Sequence, residues 1–141
     1  MPQIVLFYSY SGNTKKAAQK FAQENNCALC EVLDKKRPNK FVAFTAGIFK
    51  AMKGSGRKIK PLMLGENPVK FEDYDIVNVF APVWAAHPAP SINAALKLIP
   101  SGTKIKLFMV SMSGKSGKES QSKRIEPLGL EIIGYEDIKR F

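Results

Sequence analysis

The sequence is poor in the residues that build metal sites and covalent frameworks: its 141 residues include two cysteines, Cys27 and Cys30, and one histidine, His87. A structural zinc site usually takes four such ligands, so no metal is expected. Long apolar runs are also missing. Nothing approaches the ~18 apolar residues of a membrane-spanning helix, and Ile4 to Phe7 is too short for the ~7–15-residue core of a secretory signal. These absences point to a reducing, cytoplasmic home without a membrane span. Acidic residues are scarce too, 12 against 22 Lys and Arg, which leaves a net charge of +10. An excess of that size attracts phosphates, acidic proteins, nucleic acids or anionic surfaces, and does not choose among them.

What is present suits a globular chain. An apolar content of 45% with 10 glycines and 9 prolines excludes disorder and predicts one domain over residues 1–141. A domain of this size buries roughly 68–70% of the surface its unfolded chain exposes. Ile4 to Phe7 is a continuous apolar run, as in a strand covered on both faces. The segment Lys15 to Asn26 carries Ala17, Ala18, Phe21 and Ala22 as one helical stripe, and Asn25-Asn26 ends it. Further strands are predicted over Ala28–Leu33, Ile76–Ala81, Ile105–Val110 and Leu130–Ile133. Helices are predicted over Lys40–Lys53, Ser91–Ile99 and Lys118 to about Glu126. Strands alternating with helices predict an α/β domain with a parallel sheet and right-handed crossovers. The densest apolar runs belong at its centre and the mixed ones at its edges, which gives the order 2-1-3-4-5. Placed in the second strand three residues apart, the two cysteines face opposite sides of the sheet and read as two buried thiols rather than a redox pair.

The segment from Ser9 to Thr14 joins the first strand to the first helix. It offers three hydroxyl residues, a glycine, an asparagine and no carboxylate. A helix start contributes N–H groups and about half a positive elementary charge, and Gly12 lets the backbone curl around an anion. Lys15 and Lys16 add charge beside it. The plain alternative is an ordinary capped helix; four polar residues around a glycine favour a phosphate. Two other nucleotide motifs are excluded. Gly114-Lys115-Ser116 resembles the end of a Walker A loop, but Met109 stands where its first glycine belongs. Gly54-x-Gly56 meets Ile59 where a third glycine is required.

Ser9-x-Ser11-Gly12-Asn13-Thr14 directly after the first strand resembles the phosphate fingerprint of flavodoxins. Tyr74-Asp75-Ile76 through Ala81-Pro82-Val83-Trp84 resembles their third strand and second flavin loop, and the order of elements is similar over almost the whole chain. The resemblance implies a flavodoxin-like, doubly wound five-stranded sheet with FMN at the ends of strands one and three, the switch point for which the flavodoxin order is a standard illustration. It assigns Ser9, Ser11, Gly12, Asn13 and Thr14 to the FMN phosphate, with Tyr10 in the same segment lacking a role of its own. It sets Pro82, Val83, Trp84 and Ala85 beside the isoalloxazine, Trp84 against the ring. It also implies a third loop, Ser111-Met112-Ser113-Gly114. His87 reads as a loop imidazole without a role.

Three features depart from that family pattern. The third loop has no aromatic residue. No closing helix follows the last strand, which would leave apolar sheet exposed for a second copy to cover as a homodimer. The chain is basic where flavodoxins are usually acidic. Nine basic residues (Lys35, Lys36, Arg37, Lys40, Lys50, Lys53, Arg57, Lys58, Lys60) and no acidic one fall between Lys35 and Lys60. The apolar helix Lys40–Lys53 among them reads as a core helix rather than a lipid or nucleic-acid element. Lys35 to Lys40 belong on the rim of the flavin, Lys115 and Lys118 approach it from the other side, and the members from Lys53 onward belong at the opposite end of the sheet. A basic rim stabilises reduced, anionic FMN and raises its low-potential couple; it also steers an acidic redox partner or the phosphates of NAD(P)H. The expected function is an FMN-binding electron carrier. The alternatives are an NAD(P)H-dependent FMN reductase and a non-catalytic binding module that keeps the fold without FMN. No side chains form a nucleophile or an acid–base pair.

Overall fold

The computed structural model describes residues 2–10, 12–35, 58–84, 87–88 and 90–139, and for 84, 87 and 88 the backbone. The predicted helix Lys40–Lys53 and most of the Lys35–Lys60 basic segment lie outside the described residues. The first strand, β1 (Gln3–Phe7), leads into α1 (Asn13–Asn25), β2 (Ala28–Glu31) and a short hairpin of β3 (Met63–Leu64) and β4 (Asn67–Pro68). Then come β5 (Ile76–Trp84), β6 (His87–Pro88), α2 (Pro90–Leu96), β7 (Lys104–Ser111), α3 (Lys118–Ile125) and β8 (Glu131–Lys139).

The main sheet runs β2-β1-β5-β7-β8, and each neighbouring pair is parallel. This is the predicted order 2-1-3-4-5, with the mixed-pattern strands at the edges. Two short antiparallel additions were not expected: β3 with β4, and β6 folded back on the end of β5. The last strand is also longer than Leu130–Ile133. Glu136 and Asp137 break its apolar pattern, yet an edge strand tolerates such charges and is protected by them. A bulge at the Ile105/Lys106 step of β7 adjusts the register with β8.

Residues alternating along each strand divide the core into two layers. Ile4, Leu6, Val77, Val79, Ile105, Leu107 and Met109 pack under Ile92, Ala95, Leu96 and Ile99 of the α2 segment and Ile125 of α3. Val5, Phe7, Phe80 and Phe108 face the other way, under Ala18 and Ala22 of α1. Cys30 belongs to the first layer and Cys27 packs on the second, so the thiols face opposite sides as expected. Only Cys30 is buried, however, and Cys27 is half-exposed. Cys27 precedes β2 instead of lying in it, because α1 runs to Asn25 and turns through a left-handed Asn26. Burial raises the pKa of both thiols, which keeps them protonated near neutrality and poor nucleophiles.

No helix follows β8 among the described residues, yet the sheet there is not bare. Phe80 and Phe108 stack with centroids 4.3 Å apart, and Phe21 of α1 tilts onto both at 5.5 and 5.0 Å. Phe108 is left only 6% exposed. The expectation of an uncovered apolar face is therefore corrected: three aromatic rings span the width that aliphatic side chains would leave open. What remains is a groove of about 250 Å³ beside α1, rimmed by Lys20, Glu24 and Glu136.

Candidate functional site at the strand ends

The carboxyl ends of β1, β5 and β7 lie side by side, with β5 between the other two. Parallel pairing alone brings together three loops that are far apart in sequence, and the crevice outside such strand ends is where open α/β sheets bind ligands.

In the first loop the Gly12 N–H donates to Ser9 Oγ at 2.9 Å. Gly12 takes the left-handed conformation, φ 99°, at the cap position of α1. The cap residue has no side chain and makes no side-chain cap hydrogen bond, so it leaves the first helix N–H groups to other acceptors. Among the described residues, a Cβ on Gly12 would meet nothing within 4 Å. Thr14 is buried, while Ser9, Tyr10, Gly12 and Asn13 are partly exposed and Lys15 and Lys16 are exposed. Ser11 lies outside the described residues.

The second loop is the tip of the β5–β6 hairpin, in which Val83 pairs with Pro88 and Trp84 with His87. Pro82 and Val83 are half-buried. Ala85 lies outside the described residues, as does the Trp84 side chain, and with them the proposed ring contact. In the third loop Ser111 is buried, and Met112 is the most open large apolar side chain described, at 73%. The Gly114 N–H donates to Ser111 Oγ at 3.0 Å, and Gly114 has φ 72°. Beyond it the loop is tied to the edge strand: the Ser116 N–H donates to Asp137 Oδ1 at 3.0 Å, and the Ser116 hydroxyl donates to the same oxygen. That hydroxyl has one proton, so its further contact with the Tyr135 hydroxyl is one that Tyr135 donates.

Sequence reasoning missed two groups at this edge. One is the strap of Ser116, Tyr135 and Asp137. The other is Asp34, whose carboxylate accepts hydrogen bonds from Tyr8 and Ser91. Neither is contiguous in sequence. The repeated Ser-x-Ser-Gly pattern of the first and third loops was the one available signal that both make the same turn.

Comparison with solved structures places the fold. A flavoprotein from Lactobacillus acidophilus NCFM, crystallised with FMN, is 24% identical, with a TM-score of 0.75 over 95% of this chain and 91% of that one. A flavoprotein from Bacteroides eggerthii is 16% identical, with a TM-score of 0.79 over 99% and 89%. A flavodoxin from the domain Archaea is 14% identical, with a TM-score of 0.53 over 99% and 85%. No protein-family model and no curated protein matches the sequence. The chain has the flavodoxin-like α/β fold. Among the described residues, no helix is long and apolar enough to cross a membrane, and no group of three or more His, Cys, Asp or Glu is placed to hold a metal ion.

Proposed function

We propose that this chain binds FMN at the carboxyl edge of its sheet and works as an electron carrier. The observation that carries the reading is the Ser9–Gly12 turn: a left-handed glycine, nothing among the described residues within 4 Å of where its Cβ would be, and a 13-residue helix starting at the next residue. The donor chemistry fits a phosphate dianion. Hydroxyls, an amide side chain, helix N–H groups and two lysines follow one another along this segment, and no carboxylate falls between Ser9 and Lys16. The Lactobacillus protein of similar fold was crystallised with FMN, which supports the same cofactor here.

In this reading Ser9, Tyr10, Ser11, Gly12, Asn13 and Thr14 hold the phosphate. Pro82, Val83, Trp84 and Ala85 border one side of the ring, and Ser111, Met112, Ser113 and Gly114 the other. Exposed Met112 supplies a polarisable thioether where an aromatic is absent, a suitable neighbour for a flat ring. When bound, the isoalloxazine supplies the redox chemistry; the chain orients it, shields it from water and sets the potential around it. Lys15, Lys16, Lys35, Lys58, Lys60, Lys115, Lys118 and Lys139 are all exposed on the loops and strand ends of this edge; Lys58 and Lys60, expected at the opposite end of the sheet, lie here because Ile59 between them bridges to Asp34 just past β2. Their field favours a negatively charged reduced ring and attracts an acidic redox partner in the cytoplasm, with an association rate that falls as salt rises.

The test is an absorbance titration of the purified chain with FMN. Flavin bands that shift on binding, with riboflavin bound more weakly, are expected. A chain that takes up no FMN overturns the reading in favour of a non-catalytic module. Steady NADPH oxidation by the loaded protein, with no second protein added, replaces the carrier with a reductase.

A further inference from the structure

Asp34 lies just past β2, and its backbone is held from one side. It bridges antiparallel to Ile59, while the Lys60 N–H donates to Leu33 O at 2.7 Å and the Lys35 N–H to Lys58 O at 3.1 Å. The position of the carboxylate is therefore fixed by the chain around it. Its Oδ2 accepts from the Tyr8 hydroxyl at 2.8 Å and its Oδ1 from the Ser91 hydroxyl. These partners are 26 and 57 positions away in sequence, so this is no local turn or cap. Both are nearly sealed from water, Tyr8 at 3% and Ser91 at 1% exposure, so neither hydroxyl has solvent as a ready substitute.

The two partners belong to different walls of the proposed site. Tyr8 immediately precedes Ser9, and its N–H continues the sheet to Phe80 O at 3.2 Å. Ser91 is the second residue of α2, three positions after β6 ends at Pro88. One carboxylate therefore grips the root of the phosphate loop and the return of the hairpin. A cavity of about 190 Å³ beside it, lined by Tyr8, Ser9, Val32 and Asp34 among others, leaves room for the loop to shift once released. The chemistry calls for a carboxylate: both partners donate, and an amide would turn an NH₂ group toward one of them.

We infer that Asp34 is a positioning residue that couples the phosphate loop to the β5–β6 hairpin, so that the two walls hold one spacing. Its bearing on FMN rests on the proposed function; the coupling itself does not. The experiment is amide hydrogen exchange on the ligand-free full chain, each rate taken relative to Leu107 in β7. Ser91→Ala, a change in α2, should speed exchange at Gly12 to Lys16 by roughly 3- to 10-fold, the range of one lost hydrogen bond. Tyr8→Phe should do the same at Val83 and His87, and Asp34→Asn at both. Unchanged relative rates at Gly12 to Lys16 in both Ser91→Ala and Asp34→Asn overturn the coupling, as does an equal acceleration at every amide. In the FMN arm, Ser91→Ala should raise the Kd for FMN by a similar factor and leave that for riboflavin, which does not engage the phosphate loop, within about 2-fold; equal losses for both count against the assignment. If the unmutated chain takes up no FMN, the proposed function falls and the exchange arm still decides the coupling.

Discussion

The first and third loops share a sequence, Ser-x-Ser-Gly, and a turn, yet they are built into the molecule differently. In each, the serine oxygen accepts the N–H of the glycine three residues on, at 2.9 Å for Ser9 and Gly12 and 3.0 Å for Ser111 and Gly114. In each, the glycine is left-handed. The difference begins at the next residue. Asn13 already belongs to a 13-residue helix, so the first turn lies at the positive end of a macrodipole. Lys115 does not: the third loop runs three more residues to a left-handed Gly117 before α3 begins, and Ser116 fastens it to β8 on the way. Four residues set the turn, and the element joined to its far end sets what the turn can bind. In the proposed function the first loop is a cradle; the third is a strapped edge.

The largest expected effect tests that division directly. Gly12→Ala forces φ 99° on a residue with a Cβ, a strain of about 1–2 kcal/mol. That strain falls where the phosphate is proposed to lie, so the Kd for FMN should rise by about 10-fold or more. In Gly114→Ala the new Cβ would come 3.2 Å from Lys139 Cβ, so the strain spreads into β8 and should appear chiefly as lost stability, with a smaller loss of FMN affinity than in Gly12→Ala. Titration and urea unfolding of both variants check this; equal losses of FMN affinity would erase the distinction between the loops.

A smaller effect is expected at the strap. Ser116→Ala removes the hydroxyl that accepts from Tyr135 and donates to Asp137, and Ser116 is only 4% exposed. Tyr135 then loses its acceptor, while exposed Asp137 keeps the residue-116 N–H, so the change should cost about 0.5–1.5 kcal/mol of unfolding free energy. The amides of β8 should exchange faster while those of α1 keep their protection. Loss of protection in α1 instead would mean that the two loops are one unit.

Local chemistry explains what was legible in the sequence. The runs Ile4–Phe7, Ile76–Ala81 and Ile105–Val110 are apolar on both faces, which only a central parallel strand requires, and from them came the strand order. Ser9 and Gly12 were legible because adjacent residues make the turn. The strap and the Asp34 tie were not, because each depends on partners that only the folded topology brings together. Ser116 meets Asp137 across 21 positions, and no periodicity marks that distance. The full length of β8 was hidden for a related reason: the predicted strand stops at Ile133 while β8 runs to Lys139, and Asp137, which breaks the apolar pattern, is there as an acceptor for Ser116. The uncovered sheet was misjudged because Phe21 counted as one position in a helical stripe, with no allowance for a ring that reaches both Phe80 and Phe108.

Tyr135, the phenol of the strap, should also reveal its burial through pH. Burial raises the Tyr135 pKa above its ordinary value of 10.0 against the opposing pull of the Ser116 hydrogen bond, and the nearby Asp137 carboxylate adds a smaller push upward. The folded chain then holds the phenol proton more tightly than the unfolded chain, whose tyrosine titrates near 10. Linkage gives the sign: this contribution to stability is complete below pH 10 and declines as pH rises through the higher folded value. Tyr135→Phe should therefore lose the hydrogen bond to Ser116 at neutral pH, about 0.5–1.5 kcal/mol, but lose less further stability than the unmutated chain above pH 10. The two unfolding curves should converge on the alkaline side, by chemical denaturation at fixed ionic strength. Parallel curves from pH 8 to 11 would show that the phenol titrates alike in both states and that burial in the fold does not hold its proton.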